Sequence, residues 1–298
     1  MPRAELDPEL SVRVVSVREL SYGAPEGLGD DRPAHVRAAS GLAVFRGRFA
    51  VVQDDVAFIA LVGSDVTAIP LPRGADGRRR FEVGLGNKAE KLDLESCVAV
   101  GDELWAFGSG STPLREAIAI VGYETRVIGA APLYRRIRDE LGSEINIEGV
   151  AAVGSELWFF HRGNTGARDV GPAIVRFDHE SIARWLAAEG PVPGPVWSER
   201  YELGTGYGFT DAVAHGGRVF YLAAAEQADN AIDDGPVLGA QLGVIDGGSV
   251  RATPLEIGKA EGIAFTSDDP RRAWVVVDPD DVEQPARLYE LELVGPWL

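Results

Sequence analysis

Five positions in this sequence repeat a pattern that could do chemistry. Ser40, Glu95, Glu148, Asp211 and Glu261 each open a short apolar run, at separations of 55, 53, 63 and 50 residues. Four of the five are carboxylates. Carboxylates drawn to one axis repel each other, so they need a cation, shared protons or salt bridges to persist. A hard cation with oxygen ligands satisfies them most simply, with Ca²⁺ ahead of Mg²⁺ or Mn²⁺. Glu95, Glu148, Asp211 and Glu261 are therefore the expected metal ligands. Lys91, Lys259 and Arg162 lie close enough in sequence to neutralise the same carboxylates without a metal.

A second set of polar residues follows each apolar run, in loops, where function concentrates. It comprises Asp54 in Gln53-Asp54-Asp55, Ser109 and Ser111 in the Gly108–Thr112 loop, Arg162 and Asn164 around Gly163, Glu226 after Ala225, and Asp278 before Pro279. Together with Ser40, Lys91 and Lys259 these are the expected ligand-binding residues. The Gly108–Thr112 loop offers N–H groups and hydroxyls to an anion, with Arg115 nearby, but it lacks the lysine of a P-loop. A plain polar turn is the simpler reading of it. Arg162 and Asn164 could hold a phosphate or carboxylate. A small anionic molecule bound through the metal is thus the expected partner. His161 is the one histidine near these loops and could serve as a base, while His35, His179 and His215 show no metal spacing. Asp229 to Gly235 is acidic but lacks the spacing and terminal Glu of an EF-hand, so it reads as a solvated turn. There is no nucleophile elbow and no zinc pattern.

These residues require elements that bring them together, and an internal repeat supplies them. Leu92 to Phe107 and Ile145 to Phe160 align as carboxylate, apolar strand, Gly turn and apolar-aromatic strand. Three weaker copies start at Ser40, Asp211 and Glu261. Each repeat has room for further strands, such as 58–62 with 66–71, 117–121 with 125–128, and 242–245 with 250–253. Four short strands per unit, repeated radially, predict an all-β fold: a five-bladed β-propeller in one domain over residues 1–298, with six blades as the alternative if 79–84 hides part of one. The blades are expected near 40–72, 92–130, 145–203, 209–256 and 259–298. The last lacks one strand, which the alternating segment 11–20 at the N-terminus would supply, closing the ring and removing an exposed edge. Helices are expected at Pro132–Leu141 and at Ser181–Glu189, the second capped by Asp178 and stopped by Gly190. In a propeller the innermost strand runs along the channel and the next returns, so first-strand starts and second-strand ends share one mouth. Both polar sets occupy those positions.

Composition narrows the partners. The 298 residues carry 29 Lys plus Arg against 46 Asp plus Glu, a formal net charge of −17. Such a surface repels phosphate backbones and anionic lipids, which argues against nucleic acid and membrane. The lone cysteine, Cys97, lies in a predicted core strand and reads as a small apolar residue. Residues 1–7 contain no apolar stretch like that of a signal peptide, so a cytoplasmic location is expected. Trp105 and Trp158 lie inside second strands and read as packing between blades.

Through Leu92–Phe107, Ile145–Phe160, the Gly108–Thr112 loop, Arg162-Gly163-Asn164, Phe209-Thr210-Asp211 and Asp233-Asp234-Gly235, the chain resembles an uncharacterised bacterial propeller family. More remotely its layout is similar to the phytase-like esterase, gluconolactonase and calcium-dependent apyrase propellers. That resemblance implies Ca²⁺ at the channel mouth and hydrolysis of a small phosphoester, lactone or ester, and it touches Glu95, Glu148, Asp211 and Glu261. The Asn-rich metal shell of lactonase propellers is represented only by Asn146 and Asn164. The alternative function is a non-catalytic propeller that binds a small ligand or a protein, with a structural acidic ring.

Overall fold

In the computed structural model, which describes residues 1–23, 31–164, 166, 169–226 and 237–298, the strands form five sheets, each a blade of a five-bladed β-propeller. Blade 1 is Ala39–Phe45, Arg48–Gln53, Phe58–Val62 and Val66–Pro70. Blade 2 is Leu94–Val100, Glu103–Gly108, Ala117–Val121 and Thr125–Gly129. Blade 3 is Ile147–Val153, Glu156–His161, Ala173–Asp178 and Trp197–Arg200. Blade 4 is Tyr207–His215, Arg218–Glu226, Val237–Asp246 and Ser249–Pro254. Blade 5 is Lys259–Phe265, Arg272–Asp278 and Arg287–Val294, completed by Ser11–Glu19 from the N-terminus. That last strand pairs antiparallel from Ser11 against Val294 to Glu19 against Arg287, the closure expected from the sequence.

Why these segments make blades follows from strand periodicity. Successive side chains of a strand point to opposite faces, and each blade face must pack on a neighbouring blade. In Glu156–His161, Leu157 and Phe159 enter the cluster shared with blade 2, while Trp158 and Phe160 enter the cluster shared with blade 4. Three further clusters fill the other interfaces, so there is one between each adjacent pair of blades. Trp105 and Trp158 both lie in these clusters, as expected, and Cys97 is buried in the one between blades 1 and 2. The tight hairpins rely on left-handed glycines: Gly101 and Gly154 sit at φ 57° and 60° in equivalent two-residue turns.

Three details differ from expectation. The Ser11–Glu19 strand is almost wholly exposed rather than half-buried, because it is the outer edge of its blade and a register shift between Val14 and Ser16 breaks its alternation. Ala4–Leu6 adds a fifth strand to blade 4, parallel to Ser249–Pro254, and so covers that blade's outer edge. The second helix, α2 (His179–Leu186), is capped by Asp178 accepting from Ser181 N at 2.8 Å, but it ends before Gly190, with Ala188 taking the left-handed conformation. The first, α1 (Ala131–Leu141), packs Leu133, Tyr134, Ile137 and Leu141 into the seam between blades 2 and 3. The stretch 79–84 hides no blade: Arg80 makes one isolated bridge to Val56, and Phe81, Glu82 and Val83 wall a cavity at the edge of blades 1 and 5. Among the described residues no helix is long and apolar enough to cross a membrane.

Candidate functional site at the channel mouth

Each innermost strand has a register shift at the same place. The residue skipped is Ser40, Glu95, Glu148, Thr210 or Glu261 in blades 1 to 5. The strand-start positions therefore do form a ring, with one correction: the fourth member is Thr210, and Asp211 belongs to the next layer down. Aligning the apolar residue before each position (Ala39, Leu94, Ile147, Phe209, Ala260) would have found this. Two of the five are hydroxyls that tie adjacent blades. Ser40 Oγ donates to Leu94 O at 2.5 Å and Thr210 Oγ1 to Ala260 O at 2.7 Å, each reaching the residue before the next blade's glutamate.

The layer below consists of Gly41, Ser96, Gly149, Asp211 and Gly262. Its glycines let the inner strands of adjacent blades touch: a Cβ on Gly262 would lie 2.6 Å from Leu42 N, and one on Gly149 3.2 Å from Asp211 Cα. Asp211, 2 % exposed, fills the remaining space. Its carboxylate accepts from Ile263 N at 2.8 Å and from the amides of Ala212 and Leu42, joining blades 4, 5 and 1. Burial pushes its pKa well above the usual carboxylate range, against the pull of those three amides.

The four expected metal ligands accordingly do not converge. Glu148 accepts from Arg162 Nη1 through both oxygens at 3.0 Å and from Asn146 Nδ2 at 2.6 Å. Glu261 pairs with Lys259 at 3.2 Å, and Lys259 also reaches Asp280 Oδ1 at 3.2 Å. Glu95 lies instead in a separate group with Asp54 and Asp93, one oxygen of each within 4.8 Å of the others. The Lys91 ammonium sits among them, 2.5 Å from Asp54 Oδ2 and 2.6 Å from Asp93 Oδ1. Burial opposes the charge on Lys91, but Asp54, Asp93 and Glu95 outweigh it and raise its pKa. Burial, reinforced by the charges of Asp93, Glu148 and Asp54, pushes the Glu95 carboxyl well above its ordinary range.

Apart from Ser40, tied to Leu94 O, and Glu226, the expected ligand-binding residues divide into two groups. Ser109, Ser111, Arg162 and Asn164 turn inward. Ser109 Oγ donates to Asp93 Oδ2 at 2.5 Å, Arg115 Nη1 bridges Ser111 Oγ and Asp93 at 2.9 Å each, and Tyr134 Oη fixes Gly108 O at 2.6 Å. Asn164 Oδ1 accepts from Asn146 Nδ2. The Gly108–Thr112 loop is thus a cage for Asp93 rather than an anion cradle. His161 is fully buried between Asn146 N at 3.0 Å and Asp169 Oδ1 at 3.3 Å, away from any open surface. Glu226 ends its strand, and its side chain lies outside the described residues, as does the acidic segment 229–235.

Asp54, Lys91, Lys259 and Asp278 converge. They line a cavity of about 370 Å³ between blades 1 and 5 and the segment leading into blade 2. Sequence reasoning missed its other wall, which comes from Arg37, Phe81 and Glu82. Arg37 is buried and bonds both Asp55, through Nε at 2.8 Å, and Glu82, at 3.0 Å. No repeat marks these residues, since they lie outside the strands. Asp278 is strongly perturbed: burial, then the charges of Asp280 and Asp54, push its carboxyl up to about 7 despite Lys259. A group poised there can both take and give a proton near neutral pH.

Several solved structures are similar to this chain. Glutaminyl cyclase from Myxococcus xanthus is 9% identical over 99% of each chain, with a TM-score of 0.53. A mannose phosphorylase from Leishmania mexicana is 14% identical over 96% of this chain and 93% of that one, with a TM-score of 0.48. A gluconolactonase from Xanthomonas campestris is 11% identical over 87% and 88%, with a TM-score of 0.44. At such identities the likeness concerns the fold alone. No curated protein sequence matches the chain. The sequence model of a family described as "Family of unknown function (DUF6929)" matches residues 35–293. A match over most of its length places this five-bladed propeller in the DUF6929 family.

Proposed function

We propose that the chain binds a small molecule bearing an amine or guanidinium group in the cavity at the channel mouth, and that the acidic ring is structural. One observation carries this. The cavity is lined by six carboxylates (Asp54, Asp55, Glu82, Asp278, Asp280, Asp281) against Arg37, Lys88, Lys91 and Lys259. Arg37, Lys91 and Lys259 are each already committed to two carboxylates, which leaves Asp278 with no cation of its own among the described residues. A cavity with surplus negative charge and recessed walls concentrates cations. Among the described residues lining the cavity, the recessed bases Arg37, Lys91 and Lys259 already face carboxylates, which favours a cation over the small anion expected from the sequence. Phe81, Val83 and Val282 supply an apolar side for the rest of the ligand.

A second reading is a hydrolase of a small phosphoester, lactone or ester at the same cavity. It is favoured by Asp278, whose carboxyl at about 7 suits a general acid or base. Thermal melting with spermidine and arginine, against citrate and inorganic phosphate, tests the first reading. Amines should raise the melting temperature and the anions leave it unchanged; stabilisation by the anions alone would reverse the assignment. Turnover of an ester or lactone panel that Asp278→Asn abolishes would select the second.

A further inference from the structure

The ring of carboxylates led to the expectation of Ca²⁺, and the residues in place do not fit that ion. Ca²⁺ takes six to eight oxygens at ~2.3–2.6 Å, several of them carboxylates free to turn onto it. Here Glu148 has both oxygens on Arg162, Glu261 is on Lys259, and Asp211 is spent on backbone amides. Among the described residues, the three acids spaced closely enough to share one ion are Asp54, Asp93 and Glu95, and a cation already stands among them. It is the Lys91 ammonium, on a side chain only 8% exposed, at 2.5 and 2.6 Å from two of the three.

We infer that the channel mouth is charge-balanced by the chain's own basic side chains, with the Lys91 ammonium standing where a divalent cation would otherwise sit. Arg162 pairs with Glu148 and Lys259 with Glu261, so blades 3 and 5 each carry a fixed counter-ion on their ring glutamate, while in blade 2 Lys91 pairs with Asp54 and Asp93 and raises no metal requirement for the neighbouring Glu95. The energetic reason is that three acids this close cannot all stay ionised in a recessed site without a cation. A tethered ammonium provides the charge without depending on metal supply. It leaves no exchangeable coordination position, so it neither binds a substrate oxygen as a Lewis acid nor generates a metal hydroxide. This inference deepens the reading of the acidic ring as structural, and its metal readouts fail separately from amine binding in the cavity that Asp54 and Lys91 also line.

Elemental analysis of the full-length protein, thermal melting with EDTA and with excess Ca²⁺ or Mn²⁺, and a Tb³⁺ luminescence titration test it on the wild type and on Lys91→Met. The wild type should hold no stoichiometric metal, melt at the same temperature in EDTA and in Ca²⁺, and show no sensitised Tb³⁺ emission. Lys91→Met should gain one Tb³⁺ site and a melting temperature that rises with Ca²⁺. Should Lys91→Met fail to fold without metal, the Lys91→Met/Asp54→Asn variant, which removes one charge of each sign, should fold and bind no Tb³⁺. A stoichiometric metal in the wild type, with a melting temperature that falls in EDTA, would overturn the inference. So would a folded Lys91→Met that binds no Tb³⁺.

Discussion

Replacing Asp211 by Ala should destabilise the propeller by about 2–4 kcal/mol in a way that no metal ion influences. The carboxylate takes three backbone amides, from Leu42, Ala212 and Ile263, in a layer where glycines let the strands touch. Removing it orphans those donors, and a buried polar group left without a partner costs ~1–3 kcal/mol. Three at the lower bound give ~3 kcal/mol. The void left by the side chain adds to this, and relief of the buried carboxyl's own desolvation subtracts from it. Asp211→Asn keeps one acceptor oxygen and should lose roughly half as much. Urea unfolding followed by tryptophan fluorescence, at neutral pH with EDTA and with Ca²⁺, measures both variants. A loss under ~0.5 kcal/mol, the range of an ordinary surface substitution, would refute the plug role. A loss seen only in Ca²⁺ would return Asp211 to the metal ligands.

Other perturbations test the neighbouring parts. Arg162→Met leaves Glu148 buried without its bidentate partner and should cost about 3–5 kcal/mol, much of it recovered when Glu148→Leu is added; chemical denaturation of the three variants checks this. Asp278 has its folded pKa raised to about 7, so between pH 4 and 7 the folded state keeps a proton that the unfolded state has lost, and stability falls as pH rises through that window. Asp278→Asn removes the slope, so its stability relative to wild type should improve from pH 4 to pH 8 by up to about 4 kcal/mol, read from urea midpoints along the pH series. Gly262→Ala forces a Cβ to within 2.7 Å of Gly41 C and Leu42 N, which should cost ~1–3 kcal/mol or more by overpacking blade 5 on blade 1, measured as a fall in melting temperature.

The blades were legible because two-residue periodicity and the Gly turns are local signals: Leu157, Trp158, Phe159 and Phe160 must alternate between two seams whatever the ring size. The glutamates were legible for the same reason, since Glu95, Glu148 and Glu261 hold one place in one repeat. Asp211 was misplaced because its blade puts the hydroxyl of Thr210 at that position and the acid one residue later, and a shift of one residue moves a strand side chain to a different layer. The counter-ions were legible as candidates, but whether Lys91 or a metal balances Asp54 and Asp93 depends on ångström distances that spacing does not encode. Arg37, Phe81 and Glu82 carry no periodic mark, so half of the cavity wall appears only in three dimensions. The three residues Ala4–Leu6 were likewise too short and polar to announce a strand, and their pairing is set by the exposed edge of blade 4.

The measurement that bears most directly on the proposed site is calorimetric titration of spermidine into the protein at pH 7, in two buffers of different ionisation enthalpy. A cation seated beside Asp278 lowers its pKa, and a carboxyl that starts near 7 then releases about half a proton. The account predicts saturable binding, a heat that differs between the buffers by that amount, and loss of the difference in Asp278→Asn. No binding of the amine, with saturable binding of citrate or phosphate in its place, would contradict it.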